Sequence, residues 1–467
     1  MKDTRPKLIN SYDIGDLDLK EIQSIYRKNI NPGQIYYYKL LNYHETLIEA
    51  GEGVYCYTKN DEKILDFAGG VGSLGLGHNH PKIIKVREYF RKNKHHQIGP
   101  YFLSQYAAAL CKNLATISPG DLNMVILGNV GSEAIENSIK MVEKYQGPKK
   151  NKLIYAKNGF HGRTKGALSI TDSRALRNTF RLVEGDYTVE FNNADQIEEL
   201  LRDNNEIGGV VLESIQGGAG IIIPDNGYLA KVRELCDKYN VLFIIDEIQC
   251  GFGRSGKLFA FEYEDIIPDI VTLSKSLGGS SSAISATIIR EKIYKKAYAN
   301  NSEWFLQIPS TFGGMGEAAV TANEAINILY EERLIENANN MGKYFICKLL
   351  ELQKNYPSLI KEVRGRGLML GVEFNDISNN FRVPISTILS TMDERLKGSI
   401  TAFIGSLLLN QFGILIGFTE YNRNVMRLHP PLITKQKDID YFIESFEEVL
   451  KKGLTGIVKS FIKQKII

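Results

Sequence analysis

Lys275 follows an apolar run in the segment VTLSKSLGGS, residues 271–280. The pattern at 271–273 is typical of the end of a buried strand, where a long cationic side chain is uncommon. Two interpretations are open at this point. Lys275 is either a solvated loop lysine or a lysine that forms a covalent bond, because withdrawal from water lowers the pKa of an amine and makes it a nucleophile.

Two carboxylates end another very apolar run, FIIDEIQ, residues 243–249. Asp246 and Glu247 therefore lie at the end of a predicted buried strand, where a carboxylate is costly unless it is paired. A carboxylate in such a place binds a metal, acts as a base, contacts a ligand cation or forms an ion pair within the fold.

A candidate anion site lies in NVGSEAIE, residues 129–136, where an apolar strand ends and a helix begins. Gly131 lets a ligand approach the backbone closely. The free N–H groups and the dipole of the helix start favour a phosphate, and Ser132 adds a hydroxyl donor. The same residues are also consistent with a simple helix start.

An aromatic ring, an imidazole and a guanidinium follow one another in GFHGRT, residues 159–164. Phe160 or His161 is suited to stack on a flat ligand. Arg163 is suited to bind a carboxylate through its two-pronged guanidinium.

Two further patterns are better explained without a ligand. GFGRSGKL, residues 251–258, has the glycine and lysine spacing of a phosphate-binding loop, but Leu258 stands where a serine or threonine contacts magnesium. HNHP, residues 78–81, is more typical of a turn before a helix than of a metal site. We therefore predict neither a nucleotide loop nor a metal site.

From about residue 123, apolar runs typical of strands alternate with periodic runs typical of helices, and these elements position the groups described above. This alternation predicts an α/β fold, with a mainly parallel sheet between helices and ligands at the carboxyl ends of the strands. From about residue 320 the pattern predicts a smaller α+β domain. Residues 400–418 are uncharged and long enough to span a membrane, but Asn410, Gln411 and Gly413 favour a helix, a turn and a strand.

Bulk composition narrows the class of protein. The 467 residues are 43% hydrophobic and 24% charged with a net charge of +3, which does not suggest a nucleic-acid partner. Five scattered cysteines without a CxxC pair favour reduced thiols. The opening residues MKDTRPKLIN contain no apolar run typical of a signal peptide, so we expect a cytoplasmic protein without a membrane partner.

The chemically suited groups have one cofactor in common. A phosphate site, an aromatic plate, a buried acid and a lysine all fall at strand ends of one predicted sheet. Pyridoxal 5′-phosphate uses all four, because its aldehyde condenses with a lysine amine and a buried aspartate keeps its ring nitrogen protonated.

With these residues in place, the sequence resembles the class III pyridoxal-phosphate aminotransferases of the ornithine, acetylornithine, putrescine and 4-aminobutyrate type, which have fold type I. The motifs FHGRT, DEIQCGFGRSGK, LSKSLGG, STFGG and MRLHPPL occur in the family's order, and Asp246 and Lys275 are 29 residues apart. The resemblance implies a large domain with a mainly parallel seven-stranded sheet between helices. We expect residues 76–335 to form this domain, 1–75 to contribute to the small domain, and 336–467 to form the small α+β domain.

The resemblance also implies roles at the cofactor. Lys275 forms the internal aldimine and transfers the proton, and Asp246 pairs with the ring nitrogen. The other implied cofactor-binding residues are Gly131 and Ser132 at the phosphate, Phe160 stacked on the ring, Gln249 near the ring hydroxyl, and His161 and Glu213. Thr311 of the partner subunit is implied to contact the phosphate, so we expect a homodimer with shared active sites.

Two arginines correspond to substrate-binding positions of the family. Arg427 corresponds to the arginine that binds the α-carboxylate, and Arg163 to a position that contacts substrates with a distal carboxylate. Gly218 stands where many relatives carry a glutamate that masks the substrate arginine. Either Arg427 moves by itself or another residue covers it. The segment from about 375 to 400 is also longer than the family pattern leads us to expect.

The most specific hypothesis is amino transfer by a ping-pong mechanism between a terminal amine and a 2-oxo acid. The amine is a diamine such as putrescine or an ω-amino acid. The alternatives within the family are a transaminase of secondary metabolism that aminates an aldehyde, and an aminomutase like that acting on glutamate semialdehyde. Outside the family, a nucleotide-binding protein that uses GFGRSGK and a non-catalytic scaffold are the competing hypotheses.

Overall fold

Strands and helices alternate through the middle of the chain and give way to longer helices towards its end. The structure is a computed structural model that describes residues 8–97, 102–298, 305, 310–376 and 400–466. The strands are β1 Ile48–Glu52, β2 Tyr55–Thr58, β3 Lys63–Asp66, β4 Leu122–Gly128, β5 Lys152–Ala156, β6 Tyr187–Val189, β7 Ile207–Glu213, β8 Leu242–Asp246, β9 Ile270–Leu273, β10 Ser285–Arg290, β11 Ile360–Arg366, β12 Met369–Phe374, β13 Ile414–Leu415, β14 Gly417–Phe418 and β15 Val425–Leu428.

The α-helices differ in length from single turns to six turns. They are Leu19–Ile25, Pro32–Leu40, Gly69–Gly72, Pro81–Lys92, Gln105–Ile117, Gly131–Gln146, Lys165–Ser169, Arg174–Arg177, Ala194–Asp203, Tyr228–Lys238, Glu291–Tyr298, Gly316–Glu331, Leu334–Asn355, Thr401–Phe412, Gln436–Leu450 and Gly453–Ile466. Shorter helical turns of other types lie at Ile14–Asp16, Tyr26–Ile30, Ala260–Glu264 and Lys275–Gly278.

The largest sheet has seven strands in the order β4-β10-β9-β8-β7-β5-β6. β10 runs antiparallel to both of its neighbours, and the other pairings are parallel. β7 and β8 are buried along their whole length, as apolar runs in a sheet covered on both faces are expected to be. The predicted α/β architecture, with a mainly parallel seven-stranded sheet between helices, is confirmed.

The two faces of this sheet pack into separate cores. Val210 and Phe243 belong to one core, and the next residues along each strand, Val211 and Ile244, belong to the other. This alternation follows from the pleat, because successive side chains of a strand point to opposite faces. The helices of the first core include Gln105–Ile117, Tyr228–Lys238 and Gly316–Glu331, and those of the second include Gly131–Gln146 and Glu291–Tyr298.

Strand register brings the candidate catalytic residues to one edge of the sheet. Glu213 at the end of β7 pairs with Asp246 at the end of β8, and Asp246 pairs with Thr272 of β9. Lys275 lies three residues beyond Thr272. Because parallel strands end at the same edge, these side chains meet where the sequence predicts a ligand.

The C-terminal part of the chain has its own sheet, β11-β12-β15-β14, and its own core around Phe345, Phe403 and Phe442. A third sheet, β1-β2-β3-β13, combines strands from residues 48–66 with β13. The smaller α+β region is therefore present as predicted. The domain boundaries near residues 75 and 335 stay predictions.

The segment 400–418 forms the predicted helix and turn, but the single predicted strand is divided into two short strands that belong to different sheets. The helix Thr401–Phe412 ends at Gly413, whose φ of +60° favours glycine, and β13 and β14 follow. Among the described residues, no helix is long and apolar enough to cross a membrane. Most of the segment from 375 to 400 lies outside the described residues.

The two patterns predicted to be structural do form turns. Pro81 begins the helix Pro81–Lys92 directly after His80. No group of His, Cys, Asp and Glu residues in the described chain is suited to hold a metal ion. Residues 251–258 form turns rather than the strand-to-helix loop of a nucleotide site, and Arg254 within them is fully buried.

Candidate active site

A cavity of about 330 Å³ lies at the carboxyl edge of the seven-stranded sheet. It brings together all but one of the residues predicted from the sequence. Its wall includes Gly131, Ser132, Phe160, His161, Arg163, Glu213, Asp246, Gln249, Lys275 and Arg427. Thr311 is exposed and does not belong to the described lining of this cavity.

Lys275 follows β9 in an uncommon backbone conformation, with a φ of +45°. A side chain in this left-handed region is held there by its surroundings, and such strain concentrates at functional sites. Withdrawal of the amine from water lowers the pKa of Lys275 to about 8, although the charge of Asp246 opposes this change and that of Arg427 supports it. Lys275 therefore supplies a neutral amine near pH 8.

Asp246 is 4% exposed and fully paired on both oxygens. Its Oδ1 accepts hydrogen bonds from the Ile248 N–H at 3.0 Å and the Thr272 hydroxyl at 3.3 Å, and its Oδ2 lies 2.9 Å from Nδ1 of His161. Burial lowers the pKa of His161, but the hydrogen bond and charge of Asp246, together with the charge of Glu213, raise it overall. His161 therefore positions Asp246 and stabilises its charge.

Glu213 is buried beside this pair. Desolvation raises the pKa of its carboxyl to about 7 against the opposing charge of His161. Its oxygens accept hydrogen bonds from the N–H groups of Phe160 and Gly217, each at 3.0 Å. Glu213 thus links the turn that carries Phe160 to the end of β7.

The helix Gly131–Gln146 begins at the cavity wall. Val130 precedes it and makes no side-chain hydrogen bond to the first turn, so its side chain does not cap the start of this helix. Glycine is favoured at position 162, where φ is +141° and a Cβ would lie 2.4 Å from Oγ of Ser132. At Gly131 a Cβ would lie 2.9 Å from the end of the Ile248 side chain. The result is a backbone cradle open to an anion.

The two arginines differ in environment. Arg427 on β15 is 8% exposed, and desolvation lowers its pKa to about 10. Its Nε is buried without a hydrogen-bond partner among the described residues. Arg163 is 65% exposed, and its Nη2 lies 2.9 Å from Oε1 of Glu420.

Sequence reasoning missed several residues of the wall. Val71, Ile248 and Ser274 line the cavity, and Ile248 and Ser274 lie next to predicted site residues, so proximity in the chain is the signal that could have found these two. Glu420 is different, because no motif marks it and its place depends on the fold.

Comparison with known proteins agrees with this geometry. A family model described as aminotransferase class-III matches residues 38–450. The chain belongs to this family. Aminotransferase PigE of Serratia sp. (strain ATCC 39006) is 32% identical over 458 residues, which cover 91% of this chain and 52% of PigE. This aminotransferase chain thus spans about half the length of that relative.

Solved structures give the same result. An ornithine aminotransferase from Toxoplasma gondii, crystallised in the presence of oxidized glutathione with partial occupancy of pyridoxal phosphate at its active site, is 28% identical, with a TM-score of 0.79. The match covers 96% of this aminotransferase and 99% of that chain. A thermostable omega transaminase 4-fold mutant from Pseudomonas jessenii is 26% identical with a TM-score of 0.77, over 88% and 94% of the two chains.

Class-III aminotransferases use pyridoxal 5′-phosphate, and the cavity of this member fits the cofactor. The uncapped start of Gly131–Gln146 suits the phosphate, the ring of Phe160 suits an aromatic ring, and the paired carboxylate of Asp246 suits a protonated ring nitrogen. Lys275 presents an amine of lowered pKa to the same cavity, as the aldehyde of the cofactor would require.

The lowered pKa of Lys275 leads to a pH prediction for the cofactor-free aminotransferase. A small amine-reactive reagent such as cyanate reacts with the neutral amine only. We expect its rate at Lys275 to rise with pH and to reach half its limit near pH 8, well below the pKa of about 10.4 that a lysine has in water. Peptide mass spectrometry measures the modification of Lys275 at each pH. A half-maximal rate near pH 10 would contradict the desolvated amine, and added pyridoxal phosphate serves as the control because it should protect Lys275.

Proposed function

We propose that this aminotransferase moves an amino group from a terminal amine, a diamine or an ω-amino acid, to a 2-oxo acid by a ping-pong mechanism. The observation that carries the proposal is the placement of Lys275 and Asp246 at neighbouring strand ends, facing one cavity that Arg427 also lines. One cavity that serves both half-reactions requires that the first product leaves before the second substrate binds.

The residues divide the work. When bound, pyridoxal phosphate supplies an electron sink for charge that develops on the carbon next to the substrate nitrogen. Asp246 keeps a positive charge on the ring nitrogen, and His161 stabilises that carboxylate from behind. Lys275, with a pKa of about 8, would give and take the proton at the substrate carbon, because an amine with a pKa near neutral can do both.

The residues proposed to bind the cofactor line the same cavity. The N–H groups of Gly131 and Ser132 would hold the phosphate, the ring of Phe160 would contact the cofactor ring, and Gln249 would contact the ring hydroxyl. Gln249 is held in place by a hydrogen bond from its Nε2 to the carbonyl of Val71 at 3.3 Å. Glu213 fixes the turn at Phe160 through the hydrogen bond to its N–H.

The proposal includes a homodimer. Thr311 is exposed, as are Phe312 beside it and Val71 and Val130 at the cavity. Exposed apolar side chains that rim a cavity are typical of a surface that a second chain covers. In the dimer, Thr311 of the partner subunit completes the phosphate site.

The role of Arg427 gives the experiment that tests the proposal. Arg427→Ala is expected to raise the KM for a 2-oxo acid about a hundredfold, because a buried guanidinium that binds a carboxylate is lost. The KM for a diamine, which has no carboxylate, should stay within about twofold of its original value. Steady-state kinetics with a panel of diamines and ω-amino acids against pyruvate and 2-oxoglutarate measures both constants and identifies the donor.

The matched control is Arg427→Lys, which keeps the charge but loses the two-pronged hydrogen bonding. Its KM for a 2-oxo acid should lie between that of the unmodified enzyme and that of Arg427→Ala. An equal loss with acceptor and diamine would contradict carboxylate binding by Arg427. Activity with aldehydes alone would replace the 2-oxo acid proposal with the aldehyde-aminating alternative.

A further inference from the structure

Glu420 lines the cavity with its carboxylate, together with Arg163 and Arg427. Its Oε1 lies 2.9 Å from Nη2 of Arg163, and both side chains are substantially exposed, at 41% and 65%. Burial lowers the pKa of Arg427, and the negative charge of Glu420 opposes this change. Arg427 nevertheless forms no ion pair with any described residue.

The turn that carries Glu420 is fixed across the cavity. The N–H groups of Glu420 and Tyr421 both donate to the carbonyl of Gly218, each at 3.1 Å. The hydroxyl of Tyr421 donates to the carbonyl of Gly159 at 3.2 Å. Three hydrogen bonds to backbone groups of the large sheet's loops therefore hold Glu420 in place.

The same turn explains the glycine at position 218. A Cβ there would lie 3.1 Å from the ring of Tyr421 and 3.5 Å from Cβ of Phe160. A side chain at this position would therefore press on the Tyr421 ring, which would have to shift by a few tenths of an ångström. The chain has no carboxylate at position 218 but has one on the opposite turn, where Glu420 pairs with Arg163 rather than Arg427.

The ion pair between Glu420 and Arg163 leaves Arg427 as the arginine of the cavity without a carboxylate partner among the described residues. Arg427 is open to the single carboxylate of a 2-oxo acid. The charge of Arg163 is already neutralised, so a second carboxylate on the acceptor meets Glu420 as well as Arg163. Like charges brought together across a binding site oppose association, although an exposed pair makes the effect moderate.

We propose that Glu420 determines the charge of the acceptor: by neutralising Arg163 it favours 2-oxo acids with one carboxylate over those with two. This inference rests on the proposed transaminase function and assigns the acceptor class within it. Arg427 binds the carboxylate that both classes share, and Glu420 discriminates at the distal end.

Acceptor kinetics test the proposal directly. In Glu420→Gln, Arg163 is released, and we expect the ratio of kcat/KM for 2-oxoglutarate to kcat/KM for pyruvate to rise about tenfold with the same donor. The double variant Glu420→Gln with Arg163→Gln should lose this gain, because the released charge is removed. Glu444→Gln, an exposed glutamate on the helix Gln436–Leu450 outside the cavity, is the matched control and should leave the ratio unchanged.

A binding measurement separates failure of this inference from failure of the transaminase proposal. Calorimetric titration of the cofactor-loaded enzyme with glutarate and valerate compares a dicarboxylate with a monocarboxylate of the same length, without turnover. We expect Glu420→Gln to tighten glutarate binding about tenfold and to leave valerate binding unchanged. Unchanged or weaker glutarate binding in this variant would overturn the role of Glu420. An enzyme that converts no amine would overturn the transaminase proposal, while the titration would still decide the question of Glu420.

Discussion

Lys275→Ala is expected to lower kcat at least about 10⁴-fold and to remove the covalently held cofactor. In the proposed mechanism, the variant loses both the amine that would bind the aldehyde and the group that would move the proton at the substrate carbon. Two measurements check this outcome. Steady-state kinetics gives kcat, and mass spectrometry after borohydride treatment shows whether the cofactor stays attached to the chain.

The fold should tolerate this change, so the loss is not an effect of unfolding. The pKa of Lys275 falls from an ordinary value of about 10.4 to about 8 in the folded protein. A lysine with a lowered folded pKa reduces the free energy of unfolding below pH 8, and this cost disappears as the pH rises towards 10.4. Cofactor-free Lys275→Ala should therefore melt at or above the temperature of the unmodified protein at pH 7, and its advantage should shrink between pH 8 and pH 10.

The control for Lys275→Ala is Lys257→Ala. Lys257 belongs to GFGRSGKL and is exposed, so its removal should change neither kcat nor cofactor attachment. A loss of activity in Lys257→Ala with retention in Lys275→Ala would contradict the assignment of Lys275 as the residue that holds the cofactor.

Three of the predicted site residues follow from where the strands end. The apolar runs that become β7 and β8 end in Glu213 and Asp246, and the run that becomes β9 is followed by Lys275. Once these strands are parallel, their ends meet at one edge whatever the details of packing. The candidate phosphate site at Gly131 is predicted in the same way, because it lies where the run that becomes β4 ends and a helix begins.

The rest of the site depends on contacts between distant segments. Glu420 reaches the cavity because its turn binds the carbonyl of Gly218, about two hundred residues earlier, and no local pattern encodes that contact. The sequence predicts His161 at the cofactor ring. The structure also shows its contact with Asp246, which the local sequence around either residue does not predict. Strand β6 has three residues, too few for a periodic pattern.

The second large effect is expected at Asp246. Asp246→Asn should lower kcat about a thousandfold or more while the cofactor still binds. The carboxylate is 4% exposed, so its charge acts on the ring nitrogen with little screening by water. Asparagine is neutral and no longer stabilises a protonated ring, whereas the phosphate cradle and Lys275 are unchanged.

The local hydrogen bonds survive this substitution. In Asp246→Asn the new side chain still offers an oxygen to the N–H of Ile248, and its amide group can donate to Nδ1 of His161. That bond requires a neutral His161. Neutral His161 is expected because burial, which lowers its pKa, is then no longer opposed by the charge of Asp246. The melting temperature should change little.

Glu247→Gln is the matched control and should give the opposite result. Glu247 is the next residue, is buried, and accepts hydrogen bonds from the N–H groups of Ala260 and Phe261 at 2.9 and 3.0 Å, away from the cavity lining. Its amide in the variant faces one of these donors, so stability should fall by about 1–3 kcal/mol while kcat of the folded enzyme is retained.

Kinetics and thermal melting of the two variants therefore separate charge from structure. Asp246→Asn is expected to lose turnover with its melting temperature kept, and Glu247→Gln to lose stability with its turnover kept. Near-normal turnover in Asp246→Asn would contradict the role of this carboxylate at the ring nitrogen, because the substitution removes the charge and leaves the hydrogen bonds. A loss of both properties in Asp246→Asn would instead assign the Asp246–His161 pair a structural role.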